Sequence, residues 1–127
     1  MSGPPVPSGT AINFADKFSL FSEHWTPKVI ARMNDYQFKL VKVEGEFIWH
    51  SHADTDEVFI VLEGELEIHL RDGKVILGAG EMYVVGKGVE HKPFAAQEAK
   101  ILLVEPCGVI NTGEHTGDLT AENDRWI

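Results

Sequence analysis

A chain of 127 residues, 43% hydrophobic and 24% charged, has the size of one globular domain with its own core. Its formal net charge of −9 lacks the basic footprint that nucleic acid or an anionic membrane surface requires, and it disfavours a highly anionic substrate. A single cysteine, Cys107, excludes an internal disulfide, no apolar stretch approaches a membrane span, and the N-terminus has neither region of a signal peptide, so a cytoplasmic protein is expected.

Residues 1–11 read as a flexible arm, rich in Pro, Gly and Ser. Within 13–22, Phe14, Phe18 and Phe21 fall at helical spacing behind Asn13, a candidate N-cap, which predicts one short helix before Pro27. A single domain is expected over 12–110. From Lys28 onward, short β-prone runs alternate with turn signals. The runs are KVIARM, YQFKLVKV, EFIWHSH, EVFIVL, ELEIHL, KVILG, EMYVV and KILLVE. Asp72-Gly73 is a hairpin signal. Such spacing indicates an all-β sandwich or barrel. Residues 111–127 form a polar tail that is either loose or docked through Trp126.

Side chains alternate between faces along a strand. Glu57, Phe59 and Val61 share one face of their run, and Val58, Ile60 and Leu62 share the other, so both faces are apolar. The outer face therefore needs a cover, either the N-terminal helix or a second subunit, and a homodimer is the expectation.

His50 and His52 are two residues apart. On a continuous strand they point the same way with Cα atoms about 6.5–7 Å apart. Glu57 opens the next run and His91 follows much later, in position to add a ligand from another strand. Three neutral imidazoles and one carboxylate suit Mn, Fe, Ni, Cu or Zn and are poor for Mg or Ca. His69 shares a face with Glu65 and Glu67, opposite Leu66, Ile68 and Leu70, and reads as solvent-facing; His24 and His115 read as surface residues, and Cys107 as a bystander. Phe47 and Trp49 flank the histidines on the opposite face and read as packing.

The pattern resembles the cupin superfamily. Its first motif has the form G-x5-H-x-H-x3,4-E-x6-G; here His50, Ser51 and His52 are followed by four residues, Glu57, six residues and Gly64, with Gly45 one residue closer than usual. The second has the form G-x5-P-x-G-x2-H-x3-N; Gly80, Gly88 and His91 match, while Gly86 replaces the proline and Ala95 the asparagine. The resemblance implies a double-stranded β-helix, or jelly-roll, barrel holding one divalent transition metal on His50, His52, Glu57 and His91.

Cupins host many chemistries, so the resemblance leaves the reaction open. The first expectation is a metal-dependent enzyme of sugar-isomerase or epimerase type, like the small mannose-6-phosphate isomerase-like cupins, although no arginine cluster offers a phosphate clamp. The second is an Fe-, Ni- or Cu-dependent dioxygenase of a chelating small molecule, with a pocket lined by Ile48, Phe59, Val61 and Met82. The third is a non-enzymatic small-ligand or metal-binding cupin.

Overall fold

The computed structural model describes residues 9–113 and 117–127. Their elements are a helix α1 (Phe14–Phe18) and seven strands: β1 (Lys28–Met33), β2 (Tyr36–Glu46), β3 (Glu57–Glu63), β4 (Glu65–Leu70), β5 (Gly73–Gly78), β6 (Met82–Val85) and β7 (His91–Pro106). Asn13 caps α1 as predicted, its side chain accepting from Asp16 N at 2.9 Å. All strand pairs are antiparallel, in the order β1-β2-β7-β3-β6, with β4 bridging β5 and β7. Both the all-β class and the short N-terminal helix agree with the sequence. No helix among the described residues is long and apolar enough to cross a membrane.

Strand β7 organises the barrel. Its 16 residues pair with β4 through His91–Phe94 and then run between β2 and β3 through Lys100–Val104. The sequence reading began this strand at Lys100, because HKPFAAQEA contains a proline and lacks alternation. The error has a counterpart. EFIWHSH is not a strand: β2 is carried through Gly45 to Glu46 by pairing with Phe94 and Ala95, after which the chain leaves the sheet. His50 alone returns, in an isolated bridge with His91. The β4–β5 hairpin has two loop residues, but they are Arg71 and Asp72, one step before the predicted pair, because Leu70 faces Gly73.

Gly64 turns β3 into β4. Its φ of +89° favours glycine, and a Cβ there would lie 3.0 Å from Ala99 Cα, so any larger residue is both strained and crowded.

Two cores flank the shared strands. The inner one joins Val41, Val43, Phe59, Val61, Leu66 and Ile101 within the barrel. The outer one packs Phe18 and Phe21 on Ile30, Leu40 and Leu102, with Ile60, Leu62 and Ile127 at its margin. Of the two predicted covers for the outer face, the N-terminal segment is one that the fold uses, joined by the C-terminus. The tail docks rather than hanging loose: Trp126 bridges to Val29, Ile127 N donates to Val29 O at 3.1 Å, and Gln37 Nε2 donates to Asp124 Oδ1 at 2.6 Å. His115 lies outside the described residues.

Candidate metal centre

Strand β3 starts with Glu57 pointing inward, and β7 starts with His91 on the neighbouring wall. The segment between β2 and β3 brings His50 and His52 to the same point. Reciprocal backbone bonds fix His50 against His91, with His50 N to His91 O at 3.0 Å and His91 N to His50 O at 2.9 Å. Their ring centroids are 4.2 Å apart. All four side chains are buried, and one ligand atom from each lies within 4.8 Å of the others.

The hydrogen bonds prepare the rings. His50 Nδ1 lies 2.9 Å from the Ile48 carbonyl, and His91 Nδ1 lies 2.9 Å from that of Val89. A carbonyl only accepts, so each Nδ1 carries a proton, and Nε2 is the nitrogen that each ring offers to an ion. Glu57 Oε1 sits 3.2 Å from His52 Nε2 and 3.1 Å from His91 Nε2. Burial pushes the Glu57 carboxyl up, but hydrogen bonds and charge from His52 and His91 outweigh it and hold it below the usual carboxylate range. Burial, helped by the charge of His91, lowers His50 to about 4, so it stays neutral and able to ligate at ordinary pH. Three imidazoles, two of them oriented by backbone carbonyls, and one ionised carboxylate fit a first-row divalent transition metal and supply too few oxygens for Ca or Mg.

Two spaces meet at this cluster. Inside, a cavity of about 40 Å³ touches His50 and Glu57; besides these two, only Glu105 and Asn111 among its lining residues are polar. Trp25 and Phe47 stack at 4.7 Å along its wall, and Phe47 meets the His50 ring edge-on at 5.2 Å. Outside, a cleft of about 380 Å³ runs from His52, Ala53 and Asp54 to Cys107 and Ile110. The four candidate ligands thus stand between a small, mainly apolar chamber and a larger cleft of mixed character.

Residues 38–105, more than half of the chain, match the family described as the cupin domain. The chain is a cupin. Its solved relatives include a cupin-2 domain containing protein from Shewanella frigidimarina NCIMB 400, 72% identical, with a TM-score of 0.74 and coverage of 75% of this chain and 93% of that one. Protein NMB1881 from Neisseria meningitidis is 34% identical with a TM-score of 0.70, over 76% of this chain and 99% of that chain. Protein YdbB of Bacillus subtilis (strain 168) is 42% identical over 64 residues, 50% of this chain and 57% of YdbB, so the match spans little more than half of that relative.

The two replacements in the second cupin motif have local compensations. Gly86 stands where the motif has proline, yet the turn before His91 is tied to the first motif: Lys87 N donates to Asp56 Oδ1 at 2.9 Å and Gly88 N to His52 O at 2.8 Å. Ala95 is buried opposite Gly45, where the two backbones pair.

The predicted pocket residues divide. Phe59 lines the inner cavity. Val61 is fully buried in the core and does not line it. Ile48 contributes its carbonyl to His50, not its side chain to the wall. Met82 is a correction: it is 61% exposed, because it pairs with Ile60 and shares the outward phase, which leaves Tyr83 and Val85 to point in. Phe47, read as packing away from the histidines, lines the cavity because the backbone there is not a strand. His69 pairs with Glu67 at 2.9 Å, in keeping with its place among the charges.

The sequence reading missed Lys39 and Glu105, which form a buried ion pair at 2.9 Å, with Glu105 on the cavity wall. Burial raises the Glu105 carboxyl, with the charge of Glu57 adding to it and Lys39 opposing. Their signal lay in phase: Gln37 and Lys39 share a face with Val41 and Val43, and Glu105 with Ile101 and Leu103, placing charged groups on the inward face.

Proposed function

We propose that this cupin is a metal-dependent dioxygenase of a small, mainly hydrocarbon molecule that carries adjacent oxygen donors. The apolar lining of the cavity against His50 and Glu57 carries this reading. A sugar has a hydroxyl on nearly every carbon and needs a partner for each, because a buried unpaired polar group is costly. Of the two polar groups beyond the ligands, Asn111 is already committed to the Trp25 and Leu119 carbonyls and to Ala121 N. The isomerase expectation therefore has less support than its dioxygenase alternative.

His50, His52, Glu57 and His91 would hold a redox-active divalent metal, which would supply chelation of the substrate oxygens and a path for electrons to dioxygen. The protein's part follows from its own groups. The Ile48 and Val89 carbonyls hold the two rings in the ligating tautomer, and Glu57 offsets part of the ionic charge. Phe47, Trp25 and Phe59 exclude water from the reacting atoms. Both atoms of dioxygen enter the product, so the substrate supplies the four electrons and no further reductant is needed.

We also assign a homodimer in solution, supported by Met82 and Val84, which are 61% and 49% exposed on the outer face of the edge strand β6. Met82→Glu with Val84→Glu should then halve the mass found by light scattering.

The functional test measures dioxygen uptake by protein loaded with Fe, Ni or Cu against catechols, hydroquinones and β-diketones, beside a hexose phosphate control. Consumption of one dioxygen per product supports the reading. Hexose phosphate turnover without dioxygen, or no turnover of any compound, contradicts it.

A further inference from the structure

The barrel buries a second group of charges beside the metal ligands, and this group is incompletely satisfied. Lys39 Nζ lies 2.9 Å from Glu105 Oε1 and donates to the Val109 carbonyl at 3.2 Å. Lys39 and Glu105 are each 3% exposed. One carboxylate oxygen of Glu105 is therefore engaged. The other, Oε2, is buried without a hydrogen-bond partner, on a side chain that lines the same cavity as His50 and Glu57.

Such an arrangement is a poor device for stability. A buried ion pair seldom outperforms a hydrocarbon pair of equal size, and a buried acceptor without a donor is a net cost. The cost makes sense if a donor arrives from the cavity. Register places the acceptor well for that. Val58 faces Val104, so Glu57 and Glu105 occupy the next position on adjacent strands and share the inward face. Such cross-strand neighbours stand about 5 Å apart at Cβ. A molecule chelating an ion at Glu57 would thus carry its next substituent to Glu105.

We propose that Glu105, steadied by Lys39 as a positioning residue, orients the bound molecule by accepting a hydrogen bond from a hydroxyl next to its chelating oxygens. The inference rests on the chelating-ligand reading above and narrows it to compact molecules with a hydrocarbon body and a third, donating substituent. A carboxylate or phosphate at that place is repelled by Glu105. The chamber of about 40 Å³, little more than one water's share of space, admits that substituent and little else.

Catechol and pyrogallol differ by one such hydroxyl. We would load the full chain with cobalt(II), exclude oxygen, and titrate each phenol by visible absorption. The wild type should bind pyrogallol at least tenfold more tightly than catechol. The double variant Lys39→Met/Glu105→Leu, which removes both charges together and so avoids stranding either, should retain cobalt and bind the two phenols equally. Glu105→Gln should fall between them. Equal affinities in the wild type, or an undiminished preference in the double variant, overturn the role of Glu105 while leaving the chelating-ligand reading intact. If neither phenol perturbs the cobalt spectrum of the wild type, both fall.

Discussion

Among the described residues, two clusters of charged side chains are buried side by side in the barrel, and a histidine–carboxylate cluster lies on its surface. The metal cluster (His50, His52, Glu57 and His91) is nearly self-satisfied, with Nδ1 protons on backbone carbonyls and Glu57 between two rings. The Lys39–Glu105 pair is equally buried yet leaves one oxygen without a partner. His24, Glu44 and Glu98 bring comparable atoms together in the open, where water competes for each of them. Proximity of ligand atoms is common to all; burial with oriented nitrogens singles out the first, and burial with an open acceptor the second.

The largest effect should come from Glu57→Gln. It removes the carboxylate that faces both His52 and His91, and metal affinity should fall by at least about 100-fold, beyond what loss of an outer partner costs. Competition with a chromophoric chelator measures it. A smaller change would mean that Glu57 orients the rings without ligating.

Next is Lys39→Met alone. It strands a buried carboxylate and should lower stability by about 3–5 kcal/mol in urea unfolding, whereas Lys39→Met/Glu105→Leu should lie much closer to wild type. Equal losses in the two variants would show that the ion pair itself supplies net stability.

Acidification should then separate the clusters. His50 is lowered from its ordinary 6.5 to about 4, so the unfolded chain binds the extra proton first. Its contribution is complete above pH 6.5 and is lost as pH falls from 6.5 towards 4, about 3 kcal/mol in the metal-free protein. Glu57 adds a loss of the same sign below its ordinary 4.5. Glu105, raised, works in the opposite sense, losing stability as pH rises above 4.5. Comparison with His50→Gln isolates the first contribution, since that variant should lack the slope between pH 6.5 and 4.

The smallest effect should be that of His24→Ala. Its bond to Glu98 at 3.2 Å joins side chains 35% and 41% exposed. Stability should change by less than about 1 kcal/mol, with metal content unaltered. Loss of metal would move the binding site to the surface.

The difference between these groups also explains what the sequence disclosed. The candidate metal ligands were legible because His-x-His, Glu57 and His91 sit at fixed spacings on either side of an apolar run. The strands were legible where both faces alternate or a turn intervenes, as in β3 and β4. Alternation failed where the backbone is not a strand: Phe47 and Ile48 could not be assigned to a face by counting, because residues 47–49 leave the sheet. Met82 failed because its phase depends on pairing with Ile60, a long-range register that no local pattern carries. Lys39 and Glu105 were readable in phase, but lie 66 positions apart, and their meeting depends on β2 pairing with β7. Trp126 marked docking of the tail as one of two alternatives, but its seat on Val29 had no local signal.

The central claim is that His50, His52, Glu57 and His91 hold one transition metal inside the barrel. Metal analysis of the wild type and of His50→Ala/His52→Ala, after reconstitution and removal of loosely held ions, tests it most directly. The account predicts one equivalent per chain in the wild type and none in the variant, with the circular dichroism of both still that of a folded β-barrel. A wild type that binds no metal, or a folded variant that keeps its full equivalent, would contradict it.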